Sequence, residues 1–363
     1  MAKQSDKSES PGRLAWMRFR RNKLAMGALA FIILLFTASV FAYTFIPDNS
    51  PDANTMCLQI ATKKPGFSTQ LLPIPKQGFN NTDGFVSSLF NGKEDGNTYL
   101  PIAKSFIKND TLYAVEYGRT DTLKYLSSTV KTPITKTFYL GTDRYGRDML
   151  SRLILGARIS MLVGIIAVII SLLIGVTLGA MAGYFGGWLD SLIQWFINVI
   201  WSIPTILLVI AVSIALGKGF MQIFIAVGLT MWVEVARLVR GQVLSLRKME
   251  FVEASQALGY GKFRTIFVHI LPNISGPLAV VAASNFASAV LIEAGLSFIG
   301  FGVQPPTSSW GTMIRDHYGY IILDNAYLAI LPGLAIVSVV LAFILIGNGL
   351  RDALDVKSVV GNQ

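Results

Sequence analysis

Long apolar runs dominate this chain, and polar stretches separate them at intervals a bilayer would set. A hydrocarbon core about 30 Å thick needs roughly 20 apolar residues in helical form. Six runs of that kind stand out, at 24–46, 159–183, 191–216, 219–237, 274–300 and 326–350. The segments between them differ in character. Residues 1–23 begin polar and become an amphipathic lead-in around Leu14, Trp16 and Phe19. Residues 47–137 are rich in Thr, Asn, Lys, Pro and Gly, and the run 111–117 alternates as a half-buried strand does. Residues 138–158 open with turn formers, then set Met149, Leu150, Leu153, Ile154 and Leu155 against Arg152 and Arg158, which predicts an interfacial amphipathic helix. The pattern predicts an all-α polytopic membrane protein of about six transmembrane helices. A mixed insertion of about 90 residues follows the first span, a core 159–350 holds the other five, and 351–363 form a tail.

The longest polar interruption inside the core, 238–273, is predicted to be helix–turn–helix. Residues 242–258 are good helix formers, with Val243, Leu246, Phe251 and Ala254 near one face. Gly259 and Gly261 end that helix, because glycine tolerates the left-handed conformation of a C-cap. A second short helix, 262–270, runs to Pro272, which is predicted to stop it before the next span. A polar loop between two spans cannot lie in lipid. Two helices without a core of their own are costly to order unless they dock, so an exposed helix with Ala254 and Ala257 for close approach and Glu253 as a charged contact suits a cleft in another protein. Within the spans, Gly175, Gly179 and Gly183 recur at intervals of four and predict close helix approach. Pro204 and Pro332 interrupt the third and sixth spans, where kinks suit a pathway that opens and closes.

Composition agrees with the spans. Charged residues make up 14% of the chain, against about 25% in soluble domains. The net charge of +10 would suggest nucleic acid were it not for its placement. Arg13, Arg18, Arg20, Arg21 and Lys23 precede the first span, and Arg237, Arg240, Arg247, Lys248, Lys262 and Arg264 lie around 238–273. By the positive-inside rule both termini and this loop are cytoplasmic, and 47–137 lies on the other side. Arg144, Arg147, Arg152 and Arg158 run against that bias, partly offset by Asp143 and Asp148. The first span is too long for a cleaved signal peptide and lacks a small-residue cleavage site. Cys57 is the only cysteine, which excludes an intramolecular disulfide and a cysteine metal site.

Glu253-Ala254-Ser255, Gly259 and Leu271-Pro272 together resemble the EAA motif of permeases in binding-protein-dependent ABC importers, with Ser255 in place of the second alanine and His269 where isoleucine is usual. The run 140–148, then Leu150-Ser151-Arg152, Gly156-Ala157-Arg158, the run 293–298, Gln304-Pro305-Pro306 and Trp310-Gly311 are similar to DppC/OppC-type permeases of dipeptide, oligopeptide and nickel uptake. The resemblance covers roughly 13–46 and 138–358 and leaves out 47–137. It implies a permease subunit of the bacterial cytoplasmic membrane, paired with a DppB/OppB-like second permease. Two ATPase subunits would hold ATP and Mg, and an extracytoplasmic binding protein would deliver a peptide. Glu253, Ala254, Ser255, Ala257, Leu258 and Gly259 would then be the coupling helix in an ATPase groove, with Gly261, Leu271 and Pro272 shaping the loop.

Nothing in the sequence points to chemistry in this chain itself. There is no Gly-x-x-x-x-Gly-Lys-Ser/Thr to cradle a nucleotide, no His-Glu-x-x-His, and His269 and His317 are the only histidines. The expectation is no catalytic residue, no metal and no cofactor in the chain, with ATP hydrolysis in the partners. Glu293 is the most suggestive acid inside a span, with packing or contact to a peptide amino group as its readings; Glu234 is expected to pair with Arg237. Pro204 and Pro332 complete the pathway candidates. The alternatives are an importer of nickel or another small solute, and a membrane sensor whose insertion binds a ligand.

Overall fold

The computed structural model describes residues 11–79, 84–217 and 220–354. The polar start before Pro11 and the tail beyond Leu354 lie outside the described residues. In chain order the helices are α1 (Pro11–Arg21), α2 (Lys23–Val40), α3 (Ala42–Phe45), α4 (Phe85–Asn91), α5 (Met149–Phe185), α6 (Gly187–Trp201), α7 (Thr205–Leu216), α8 (Phe220–Leu246), α9 (Glu250–Ala257), α10 (Lys262–Arg264), α11 (Ser275–Ile299), α12 (Trp310–His317) and α13 (Tyr327–Leu354). The strands are β1 (Phe67–Pro75), β2 (Asn97–Lys108), β3 (Thr111–Glu116), β4 (Thr122–Leu126) and β5 (Ile134–Phe138). The chain forms two compact units, one of Met1–Leu34, Met161–Leu296 and Ile336–Gln363, the other of Leu35–Ser160 and Ser297–Ala335.

In the first unit the apolar runs become helices that pack through small residues. A Cβ on Gly175 would lie 2.5 Å from Cβ of Val235, and one on Gly179 would lie 2.5 Å from the carbonyl oxygen of Ala236. The backbones of α5 and α8 therefore meet along this stripe, which no larger side chain permits. Among the described residues, five helices are long and apolar enough to cross a membrane, and six spans result only if α6 and α7 count as one. The run 191–216 is interrupted at Pro204, as expected, and by more than a kink: α6 and α7 are separate helices bent by 95°. Pro204 has no N–H to donate and sits at the N-cap of α7, so the helical ladder ends at Trp201 and restarts at Thr205. Pro332, by contrast, lies buried inside α13, which continues through it. The lead-in α1 buries Phe19 with Ala25, Ala28 and Ile346, while Leu14 and Trp16 stay exposed.

In the second unit, residues 67–138 build a five-stranded antiparallel sheet in the order β4-β3-β2-β1-β5. Strand β3 alternates as expected, with Leu112, Ala114 and Glu116 buried. Leu72, Ile102, Leu112 and Ala114 form its core. The sheet begins and ends at one place, because Phe67 pairs with Phe138.

The expected interfacial helix at 138–158 is also corrected. Residues 140–148 form a tight knot and Met149 starts the 37-residue helix α5 without interruption. The carboxylate of Asp143, fully buried, accepts bonds from the backbone N–H of Tyr145 (2.8 Å) and Arg147 (2.9 Å) and from Nε of Arg147 (2.7 Å). Arg152 points to the same carboxylate at 3.8 Å, so this arginine is a buried partner of Asp143, not the polar stripe of a surface helix. Trp310 is buried in the same unit, and its Nε1–H donates to the carbonyl of Leu153 at 2.9 Å.

Candidate functional site

The loop after α8 departs from the expected single helix at 242–258. The helix α8 ends at Leu246, residues 247–249 turn, and α9 starts at Glu250. That turn rephases the apolar face. Val252 and Ser255 point inward, while Phe251 and Ala254, expected on one face with Val243 and Leu246, are exposed and Val243 is buried. Val252 is fully buried in one cluster with Tyr184, Val243, Ile266 and Ile270. Burying such a side chain contributes about 1.5–3 kcal/mol, so the loop owns a root in the core that sequence reading denied it. Ser255, expected as a contact to an ATPase, is corrected to an internal clip: its hydroxyl donates to the carbonyl of Val252 (2.8 Å) and lies 3.3 Å from the hydroxyl of Thr265. Being buried, it cannot reach a partner.

Gly259 closes α9 as expected. Its φ is +79°, its N–H donates to Gln256 O at 2.9 Å, and Tyr260 N–H donates to Ser255 O at 3.1 Å. This pair of bonds is the Schellman arrangement, which satisfies the last carbonyls of a helix. Gly261 acts differently, since in extended conformation it is the N-cap of α10. Pro272 does not stop the following helix, contrary to expectation. A π-helical turn at Thr265–Ile270 and a 3-10 turn at Leu271–Ile274 carry the chain directly into α11. The wider π turn absorbs the missing proline N–H, and Nδ2 of Asn273 donates to the carbonyl of His269 at 2.6 Å. Leu271 packs partly buried against the same cluster as Val252.

What faces outward is a compact surface. Glu253, Ala254, Ala257 and Gly259 are exposed, Leu258 is 73% exposed, and Phe251 and Phe263 stand exposed beside them. Glu250 and Glu253 occupy the first turn of α9, where carboxylates are favourable against the helix dipole. Arg264 stacks on Tyr260 at 4.5 Å and Lys262 lies over Phe185 at 5.6 Å, which holds two of the basic residues against aromatic rings. The sequence pattern missed Val252 and Thr265 as anchors, because their roles depend on the turn at 247–249, which has no proline or glycine to mark it.

The pathway candidates separate. Glu293 is fully buried within its unit. Pro204 stands at the α6–α7 break, and Pro332 belongs to the other unit. Glu234 does not pair with Arg237 as expected. The Arg237 guanidinium lies 3.8 Å from the ring centroid of Trp201, and Glu234 is exposed at the edge of a recess of about 350 Å³ beside the break. Nearby, Arg240 makes a bidentate pair with Asp190 at 2.6 and 2.7 Å.

Residues 175–358 match the family described as binding-protein-dependent transport system inner membrane component, and residues 10–61 match the N-terminal TM domain of oligopeptide transport permease C. The sheet at 67–138 lies outside both matches. The chain is 44% identical over 221 residues to a di/tripeptide transport system permease protein DppC of Pseudomonas aeruginosa, covering 61% of this chain and 72% of that one. It is 45% identical over 219 residues to the oligopeptide transport system permease protein OppC of Salmonella typhimurium, covering 60% and 72%. A glutathione transport system permease protein GsiD of Shigella flexneri is 42% identical over 219 residues, again covering 60% and 72%. Among solved structures, inward-facing MetNI methionine ABC transporter aligns with TM-score 0.49 at 20% identity, covering 57% of this chain and 98% of that chain. From the glycine stripe of α5 to the end of α13, this is a multi-pass inner-membrane protein belonging to the family of binding-protein-dependent transport system inner membrane components, of the DppC/OppC type.

Proposed function

We propose that the chain is the permease subunit of an ATP-driven importer of dipeptides or oligopeptides, and that α9 couples it to a separate ATPase. The observation that carries this reading is the outward surface of Glu253, Ala257 and Leu258 on a helix whose inner residue, Val252, is fixed in the core. A surface anchored this way moves with its bundle. Force applied at α9 passes to α5 and α8 through packed side chains instead of being lost in a loose loop. Closure of two ATPase subunits around ATP and Mg would rock the helices between inward and outward openings. The second permease supplies the other half of the pathway, and a binding protein delivers cargo from the far side. Both termini and α9 then face the cytoplasm, and the sheet at 67–138 lies outside. This subunit performs no hydrolysis itself. The relatives named above support peptides over nickel as cargo.

The test is reconstitution of the chain with its second permease, ATPases and binding protein in proteoliposomes. Uptake of a labelled dipeptide should require ATP and binding protein, and Gly259→Pro should reduce it at least tenfold while the subunits still co-purify. Uptake that is undiminished in Gly259→Pro would refute the coupling role of α9.

A further inference from the structure

Glu234 lies in α8, a helix apolar enough to cross a membrane, in the last turn of the apolar run 219–237. A carboxylate within a span is costly unless it faces water or a partner charge, which makes it a functional site by default. The neighbouring charges are already engaged. Arg240 is bound by Asp190, and Arg237 is held on the face of Trp201. Among the described residues no hydrogen bond or ion pair reaches the carboxylate of Glu234, and it is exposed. It opens instead onto the recess of about 350 Å³ lined by Trp201, Thr205, Thr230, Ser288 and Leu291. Ile200 and Trp201 are the last residues of α6, which stops at the 95° break. The C-terminal end of a helix carries partial negative charge, and interrupted membrane helices place such ends at ion and substrate sites. The N-terminal end of α7, at Thr205, lines the same recess with partial charge of the opposite sign, so the full charge of Glu234 sets the preference for a cation. Two hydroxyls, on Thr230 and Ser288, supply neutral hydrogen-bond acceptors.

We infer that this recess receives the cationic α-amino group of the cargo during passage, with Glu234 as its counter-charge. The inference rests on the peptide-import reading for the identity of the cation, and on geometry alone for the sign of the ligand. It moves the amine-contact role from Glu293, which is fully buried, to Glu234. A peptide amine is a primary ammonium of the right size for one carboxylate and two hydroxyls, and it is the charge that di-, tri- and oligopeptides share.

The experiment has two arms, both on the assembled transporter. In the first, Ser288→Cys places a thiol in the recess; Cys57 is buried and gives no background. The rates of reaction with a cationic and an anionic methanethiosulfonate are compared with and without Glu234→Gln. The inference predicts that the cation-to-anion rate ratio falls at least threefold when Glu234 is neutralised. An unchanged ratio, or a thiol that neither reagent reaches, overturns it. In the second arm, peptide uptake is measured at saturating loaded binding protein. Glu234→Gln should lower the maximal rate at least fivefold with KM unchanged and co-purification of the second permease intact, and Glu234→Asp should restore most of it. A rate within twofold of wild type, or a loss that follows loss of the second permease, overturns the cargo contact. If the unmodified transporter takes up no peptide, the importer reading fails, and the reagent ratio still decides whether Glu234 makes a cation site.

Discussion

Gly259 shows how one residue shapes the outward surface of α9. Nothing lies within 4 Å of where its Cβ would be, so space does not demand glycine; the φ of +79° does. An L side chain in that region costs about 1–2 kcal/mol, so Gly259→Ala should loosen the end of α9 and raise its protease sensitivity while the spans stay intact. Ser255→Ala should behave differently. It removes the clip to Val252 and Thr265, costing about 0.5–1.5 kcal/mol, yet leaves ATPase co-purification unchanged because Ser255 is buried. Comparing limited proteolysis with pull-down for both variants checks this split. The glycine was legible from its place after an alanine-rich run. The inward turn of Ser255 was not, because it follows from three residues, Arg247 to Met249, that carry no turn signature.

At the scale of elements, apolar length predicted how many spans to expect but not their continuity. The run 191–216 is apolar on both sides of Pro204, so hydropathy alone does not locate a 95° bend. The glycine stripe was readable because spacing of four is itself the geometry of a helix face, and Gly175 and Gly179 meet α8 as that spacing requires. The helix α12 carries a pH dependence that no pattern announces. His317 is buried, with Nδ1 2.7 Å from the carbonyl of Met313, and the backbone N–H of Arg144 donates to its Nε2 at 3.5 Å. Burial lowers its pKa below the ordinary value, outweighing the bond to Met313 and the charges of Asp143 and Asp316, with Arg144 also lowering it. The folded state therefore holds His317 neutral where the unfolded chain takes up a proton. Stability from this group is complete above about pH 6.5 and declines as pH falls from there toward the folded pKa. Melting in detergent should drop between neutral pH and about pH 5, and His317→Gln should flatten that drop. An equal drop in both proteins would assign it elsewhere.

For the whole molecule, the sheet at 67–138 is an addition to a permease that matches its family on either side. Its ends meet at the Phe67–Phe138 pair, so a short Gly-Ser linker can replace it without stretching the chain. Residues 54–63 must stay, because Asn54, Cys57 and Lys63 bond to the 140–148 knot. Excision of 67–138 should leave a monodisperse helical protein, while Cys57 becomes reactive. In the whole chain burial pushes that thiol up to about 11 and beds it with Ile60 and Phe138. A maleimide that labels the shortened protein and spares the complete one would confirm this, and aggregation after excision would contradict it. The alternating strand pattern announced a folded insertion, although not its strand order, which depends on long-range pairing.

The central claim is that α9 meets an ATPase through its outward face. Cysteine crosslinking in the assembled transporter tests it most directly, with Leu258→Cys on the exposed face and Val252→Cys on the buried one. The account predicts a crosslinked permease–ATPase species from position 258 and none from position 252. A Leu258→Cys thiol that labels freely with maleimide in the intact complex and never joins the ATPase would contradict it.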